Sequence, residues 1–275
     1  TPMQLNNSLS SVRSVVTESN LPSVLGDTEF SGNVAAESQF KIILGTNPRV
    51  MFAKEPSSSF DPSIGMLYGT TAATYLYNAT VTFDEAVNFT HADSEGQEIS
   101  FFGQEFTVSS ATDNTKLILF KSAQTISLSA GTANAVASQS VEVNGETYEI
   151  TLVSGTDTSA TIKVTKGTES DQKKIDVSSS KKILGVEVAV NTADESNSLG
   201  VQAEILVGAN RLTFQDGSEV KVGTDEKAID GTQVDFETSG TYPGNLTKLT
   251  IQVFAEESNE DFFKVGDEYV DAVFG

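Results

Sequence analysis

A single histidine, His91, stands beside 38 acidic residues and no cysteine, and these counts narrow the chemistry. A serine-hydrolase triad would have to run through His91. That residue sits in the polar run NFTHADSEG, and no nucleophile elbow occurs in the chain. Zinc sites built on Cys and His need more of both. The glycines occur singly at turns, so no phosphate-cradling loop is expected. Carboxylates remain. A glycosidase needs only two of them at a set spacing, but 38 candidates make some pair inevitable, so a pair means something only with geometry. Oxygen-rich turns suit a hard cation better. ADSEG carries Asp93 and Glu95, TADESN carries Asp194 and Glu195, GTDEKAID carries Asp225 and Asp230, and EESNED (256–261) is a fourth. None has EF-hand spacing. Calcium is the one cofactor they suit, and plain solvated turns are the alternative. The expectation is a protein that is not an enzyme.

The 17 basic residues leave a formal net charge of −21. Nucleic acid needs a clustered basic face, so it is not an expected partner, and an anionic membrane surface would repel the chain. No run of about 20 apolar residues exists, so no membrane-spanning helix is expected. TPMQLNNS lacks a signal-peptide pattern and reads either as a mature N-terminus or as an arbitrary cut in a longer chain. Four Asn-x-Ser/Thr sequons mark Asn6, Asn78, Asn88 and Asn245 as glycosylation acceptors. Asn78 and Asn88 share a side if one unbroken strand carries both.

The elements that must position these groups read as strands. Leu5, Leu9, Val12 and Val16 fall on one helical face, so a short N-terminal helix is expected, ended by Pro22. From Gln39 the pattern is β. QFKIILG is a strand, and 48–65 reads as a Pro- and Ser-rich loop. Tyr75, Tyr77, Ala79, Val81 and Phe83 alternate onto one face. ISFFGQEFTV (99–108) is a hairpin turning at Gly103-Gln104, with Phe101 opposite Phe106 and Ile99 opposite Val108. KLILFKS is nearly continuous and apolar, hence central. VEVNGETYEITLV (141–153) turns at Asn144-Gly145, which sets Val143 opposite Glu146 and Val141 opposite Tyr148. KILGVEVAVN (182–191) and GVQAEILVG (200–208) flank an acidic turn, and RLTFQDGSEVKVG forms a hairpin around Asp216-Gly217. LTKLTIQVFAEES closes the series with alternating Leu249, Ile251 and Val253. Strands at this spacing, without βαβ alternation, predict an all-β fold of tandem Ig-like β-sandwich domains. The Ser/Ala/Gly-rich stretch 127–140 suggests a division into 1–126, 127–255 and a linker or returning strand at 256–275.

Several of these pieces, in their order, resemble archaeal S-layer proteins: ATYLYNATVTFDEAVNFT running into DSEGQEISFFGQEFTVSSAT and LILFKS, then VEVNGETYEITLVSGT, KKILGVEVAV and LTFQDGSEVKVGT. The closing FKVGDEYVDAVFG is similar to a segment that in such proteins has proline where Ala272 stands. The resemblance covers most of the chain from about Leu21 and rests on β motifs, with no catalytic signature. It implies an extracellular, glycosylated structural protein that tiles with copies of itself into a two-dimensional array on the cell surface, and it implies that this chain is the N-terminal part of something longer. Asn78, Asn88 and Asn245 would be its exposed glycan acceptors. A subunit of a surface filament or adhesin would share these features. A secreted carbohydrate-active enzyme ranks last, since the chain has no tryptophan to stack on sugars.

Overall fold

The strand Lys116–Lys121 shows how the fold is divided. Its four central residues, Leu117, Ile118, Leu119 and Phe120, are all buried, so both of its faces meet protein. Leu117 and Leu119 point into one large core, while Ile118 and Phe120 pack on Ala189 and Leu206, which belong to a different pair of sheets. The computed structural model describes residues 3–52, 64–121, 124–131, 135–143, 145–196, 200–208, 210–240, 245–257 and 261–275. Nearly all of its regular structure is antiparallel β.

The first sandwich has two six-stranded sheets. In one, Val15–Thr17 and Thr28–Ser31 both pair with Ala35–Leu44, followed by Tyr77–Val87, Leu246–Val253 and Thr232–Thr238. In the other the order is Lys227–Ala228, Lys221–Val222, Asn210–Gln215, Lys116–Lys121, Gln104–Val108 and Glu98–Phe101. Alternation on these strands aims Phe40, Ala79, Val81, Phe83, Leu249 and Ile251 at Ile99, Phe101, Phe106, Leu117 and Phe214 to form one core. The second sandwich joins Gln124–Ala130, Gly200–Val207, Val186–Ser196 and Ser179–Ile183 to the meander Ser138–Val143, Glu146–Thr156, Ser159–Lys166 and Glu169–Asp176. Its own core includes Ile126, Ile150, Ile162, Val188 and Ile205. A small sheet of Phe262–Lys264, Ile64–Leu67 and Arg49–Phe52 completes the fold.

The strand pairing crosses the expected boundaries at 127 and 255. Lys121 stands opposite Asn210, and Gln124 opposite Val207. The second sandwich therefore hangs from the end of a long two-stranded ribbon whose base lies in the first. The late strands Asn210–Gln215, Thr232–Thr238 and Leu246–Val253 return to the first sandwich, and the described parts of the Ser/Ala/Gly-rich stretch, 127–131 and 135–140, belong to the second.

Other expectations need correction. No helix forms over residues 5–16. Leu9–Ser11 makes one 3-10 turn, Asn6 has φ 66°, and Val15–Thr17 pairs with Ile43 to Lys41. β-branched Val12, Val15, Val16 and Thr17 favour the extended chain that a sheet edge can complete. Pro22 opens the short helix Pro22–Leu25, where its fixed φ suits the first turn. The expected loop 48–65 holds the strands Arg49–Phe52 and Ile64–Leu67; its middle, 53–63, lies outside the described residues. KILGVEVAVN is broken by a tight turn at Leu184-Gly185, φ 46° and 88°, with Ile183 opposite Val186. The acidic stretch after it is strand as far as Ser196, and 197–199 lie outside the described residues. Lys221–Val222 answers Leu212 and Thr213 across a longer loop than a hairpin at Asp216-Gly217 needs.

The hairpin at 141–148 has the expected register, Val143 opposite Glu146 and Val141 opposite Tyr148; Asn144 lies outside the described residues and Gly145 has φ 78°. The hairpin at 98–108 slips by two residues. Ile99 faces Phe106, and the loop is Phe102-Gly103 with φ 51° and 75°. An aromatic residue at positive φ is strained. The strain is offset because Phe102 is buried, its ring 5.3 Å from that of Phe40 and 4.7 Å from that of Phe274. A slip of two keeps side-chain parity, so Ile99, Phe101, Phe106 and Val108 still share the core face.

Candidate functional site: the clipped C-terminal segment, the cleft and the exposed apolar sheet

His91 lies in an exposed turn, 3.4 Å from Asp93, whose N–H donates to His91 Nδ1. This is a local turn contact. The cation candidates are dispersed. Asp93 and Glu95 share the His91 turn. Asp194 and Glu195 are successive residues of the strand Val186–Ser196 and so project to opposite faces; the Glu195 N–H donates to Asp157 Oδ1 at 2.8 Å. Asp225 lines a cleft between the sandwiches, and Asp230 is exposed beside the strand Thr232–Thr238. Of the fourth turn, EESNED, residues 258–260 lie outside the described residues. Among the described residues no three Asp, Glu or His side chains gather closely enough to hold a metal. Sequence reading missed a looser acidic depression of about 430 Å³ lined by Asp27, Glu29, Glu37 and Asp84, because only strand register sets Glu29 opposite Glu37.

The sequons differ in setting. Asn245 is exposed, in a turn at φ 83°. Asn6 is exposed, and its side-chain oxygen accepts from Arg49. Asn78 is half-buried on a central strand between Ile43 and Gln252. Asn88 is half-buried too; its side-chain oxygen accepts from both the N–H and the hydroxyl of Thr90, the third residue of its own sequon. The strand slips register between the pairs Thr82–Lys248 and Val87–Leu246 and ends at Val87, so parity does not carry from Asn78 to Asn88.

The cleft between the sandwiches has a volume of about 370 Å³, and its lining includes Tyr148, Lys182, Glu187, Asn210, Asp225 and Lys227. Burial pushes the Glu187 carboxyl above the usual carboxylate range. The Ser180 hydroxyl, which donates to it at 2.6 Å, and the charges of Arg211 and Lys182 oppose that shift, and Asp225 adds to it. At the rim Glu226 draws in Arg211 (3.3 Å), Lys116 (3.5 Å) and Lys221 (3.8 Å). Polar bonds also tie the sandwiches together: Ser109 Oγ donates to the Ser178 carbonyl at 2.6 Å and Ser110 Oγ to the Val177 carbonyl at 2.9 Å.

The small sheet leaves apolar side chains in water. Met51, Phe52 and Ile64 are exposed on it, with Val265, Tyr269 and Val270 beyond its last strand. An apolar groove of about 330 Å³ takes in three of them, Ile64, Val265 and Tyr269, and is lined also by Met66 and Phe263 among others. Gly65 is required at its floor, since a Cβ there would sit 2.0 Å from the Phe263 carbonyl.

Beside this groove the chain is clipped to the first sandwich. Tyr77 donates a short hydrogen bond to Asp271 Oδ2, while Asp271 Oδ1 accepts the N–H groups of Val273 (2.8 Å) and Phe274 (2.6 Å). Burial, then the Asp271 charge and the neighbouring Tyr269, drive the Tyr77 hydroxyl far above its ordinary value. An acid whose folded pKa exceeds its unfolded one gives stability that is fully present below the unfolded value, about 10 for tyrosine, and is lost as pH rises past it. Thermal unfolding at pH 8 and pH 11 should therefore show a smaller fall in Tm for Tyr77→Phe than for the parent chain. An equal fall in both would show that Tyr77 is not held protonated by this clip.

Compared with protein-family models, with curated proteins and with solved structures, the chain finds no match.

Proposed function

We propose that this chain is a structural subunit of a cell-surface layer, acting by contact with copies of itself and carrying out no turnover. The observation that bears most on this reading is the exposed apolar set Met51, Phe52, Ile64, Val265, Tyr269 and Val270 on a chain of net charge −21, of which Ile64, Val265 and Tyr269 line one groove. Apolar side chains gathered in this way mark interaction surfaces, and the high charge keeps free copies apart until ions screen it. The S-layer resemblance of the β motifs supports the same reading and, with it, an extracellular location. Calcium is the ion proposed to screen the acidic faces, and Asn245 is the best exposed of the acceptors Asn78, Asn88 and Asn245.

Immunogold electron microscopy of the source cells, with antibody raised against this chain, tests the proposal. Even, dense label over the whole envelope is the expected result, with lattice order then compared with and without calcium. Label on thin projections would replace the layer by a filament or adhesin. Label inside the cell or only in the medium would overturn a surface role.

A further inference from the structure

The segment Asp271 to Gly275 is bound the way a peptide ligand is bound. Val273 and Phe274 are buried in the main core. The Phe274 ring lies 4.7 Å from that of Phe102 and 6.2 Å from that of Phe106, and the Phe274 carbonyl accepts from Lys121 Nζ at 3.4 Å. Asp271 anchors the other end through Tyr77 and folds the segment by accepting the Val273 and Phe274 N–H groups. The seat thus reads three features: a carboxylate at Tyr77, an aromatic ring against Phe102 and Phe106, and a carbonyl at Lys121.

The approach to the seat runs along the surface, where the Tyr269 ring meets those of Tyr77 at 6.0 Å and Phe263 at 5.7 Å. Every residue from Lys264 to Val270 is exposed, and Val265 and Val270 are 85% and 70% exposed. The segment belongs to no strand, so no sheet ladder holds it, and its contacts do not depend on which chain supplies it. We propose that the seat formed by Tyr77, Phe102, Phe106 and Lys121 also takes the Asp271–Phe274 segment of a second copy, so that neighbours exchange these segments. A short linker gives its segment an effective concentration of about the millimolar range. Copies crowded to a similar local concentration offer the same ligand at a comparable level, and the crossing linker would cover Val265 and Val270. Exchange of identical elements is a low-cost route to association. This inference does not rest on the surface-layer reading, because exchange can occur in any crowded setting.

The chain has no cysteine, so introduced thiols are unique. One tagged copy carries Lys121→Cys and a second, of different size, carries Gly275→Cys. They are mixed at about 1 mM, and also refolded together, then treated with a short bismaleimide. A chain carrying both substitutions must close on itself and so checks the geometry. The expected result is on the order of tenfold more mixed product than when the second copy also carries Phe274→Ala. Closure of the doubly substituted chain with mixed product no higher than that control would overturn exchange. Failure of the doubly substituted chain to close would overturn the seat itself. Neither outcome bears on where the protein is found by immunogold labelling.

Discussion

Phe101→Ala is expected to destabilise the chain by about 3–5 kcal/mol, the usual cost of removing a buried aromatic ring. Phe101 is fully buried. Its ring has neighbours on three sides: Phe106 at 6.2 Å, Phe40 at 6.3 Å and Phe83 at 6.4 Å. These come from both sheets of the first sandwich, so the cavity cannot close by the shift of one strand. Phe52, with 54% of its surface in water, is the contrast. Phe52→Ala should stay within about 0.5 kcal/mol, as exposed substitutions do. Urea unfolding of both variants decides the matter. A Phe101→Ala cost below about 1 kcal/mol would mean that this core is not packed as described.

The second large effect is expected from cutting the molecule at its ribbon. Lys121 and Asn210 are direct partners, so replacing residues 122–209 by Asn-Gly should close a two-residue hairpin of the type that matches strand twist. The shortened chain should fold, because its core is complete without the second sandwich. It should nonetheless lose stability and solubility. Ile118 and Phe120 are uncovered, and each such side chain contributes about 1.5–3 kcal/mol when buried. Residues 124–207 alone should also unfold cooperatively around their own core. Circular dichroism melts of the two pieces test this. Two non-cooperative melts would refute the nested arrangement.

How much was legible in the sequence depended on how local the signal was. The 141–148 hairpin was readable to the residue because Gly145 takes the positive φ that its turn needs and alternation on both strands agrees with it. The 98–108 hairpin was readable as a hairpin but not in register. Local rules disfavour Phe102 at positive φ, and only the distant Phe40 and Phe274 make that conformation worthwhile. Leu184-Gly185 was hidden by the continuous strand pattern around it. The N-terminal apolar spacing suited a helix, yet Val15–Thr17 found a ladder on Ala35–Leu44 that no local window contains. Among the site residues, the sequons were visible as motifs while their burial was not, since the register slip that separates Asn78 from Asn88 arises from pairing with Leu246–Val253. The clip was not legible at all: Tyr77 and Asp271 lie 194 positions apart.

By itself the sequence determined the β class, the strong acidity, the lack of thiol chemistry and the faces of most strands, because alternation, turn residues and composition act over a few positions. Tertiary structure alone decided that the second sandwich is nested in the first, that Ala189 and Leu206 are what cover Ile118 and Phe120, and that Phe274 fills a seat beside Phe102. Each of these rests on contacts between distant parts of the chain, whose free energy exists only once the sheets have come together.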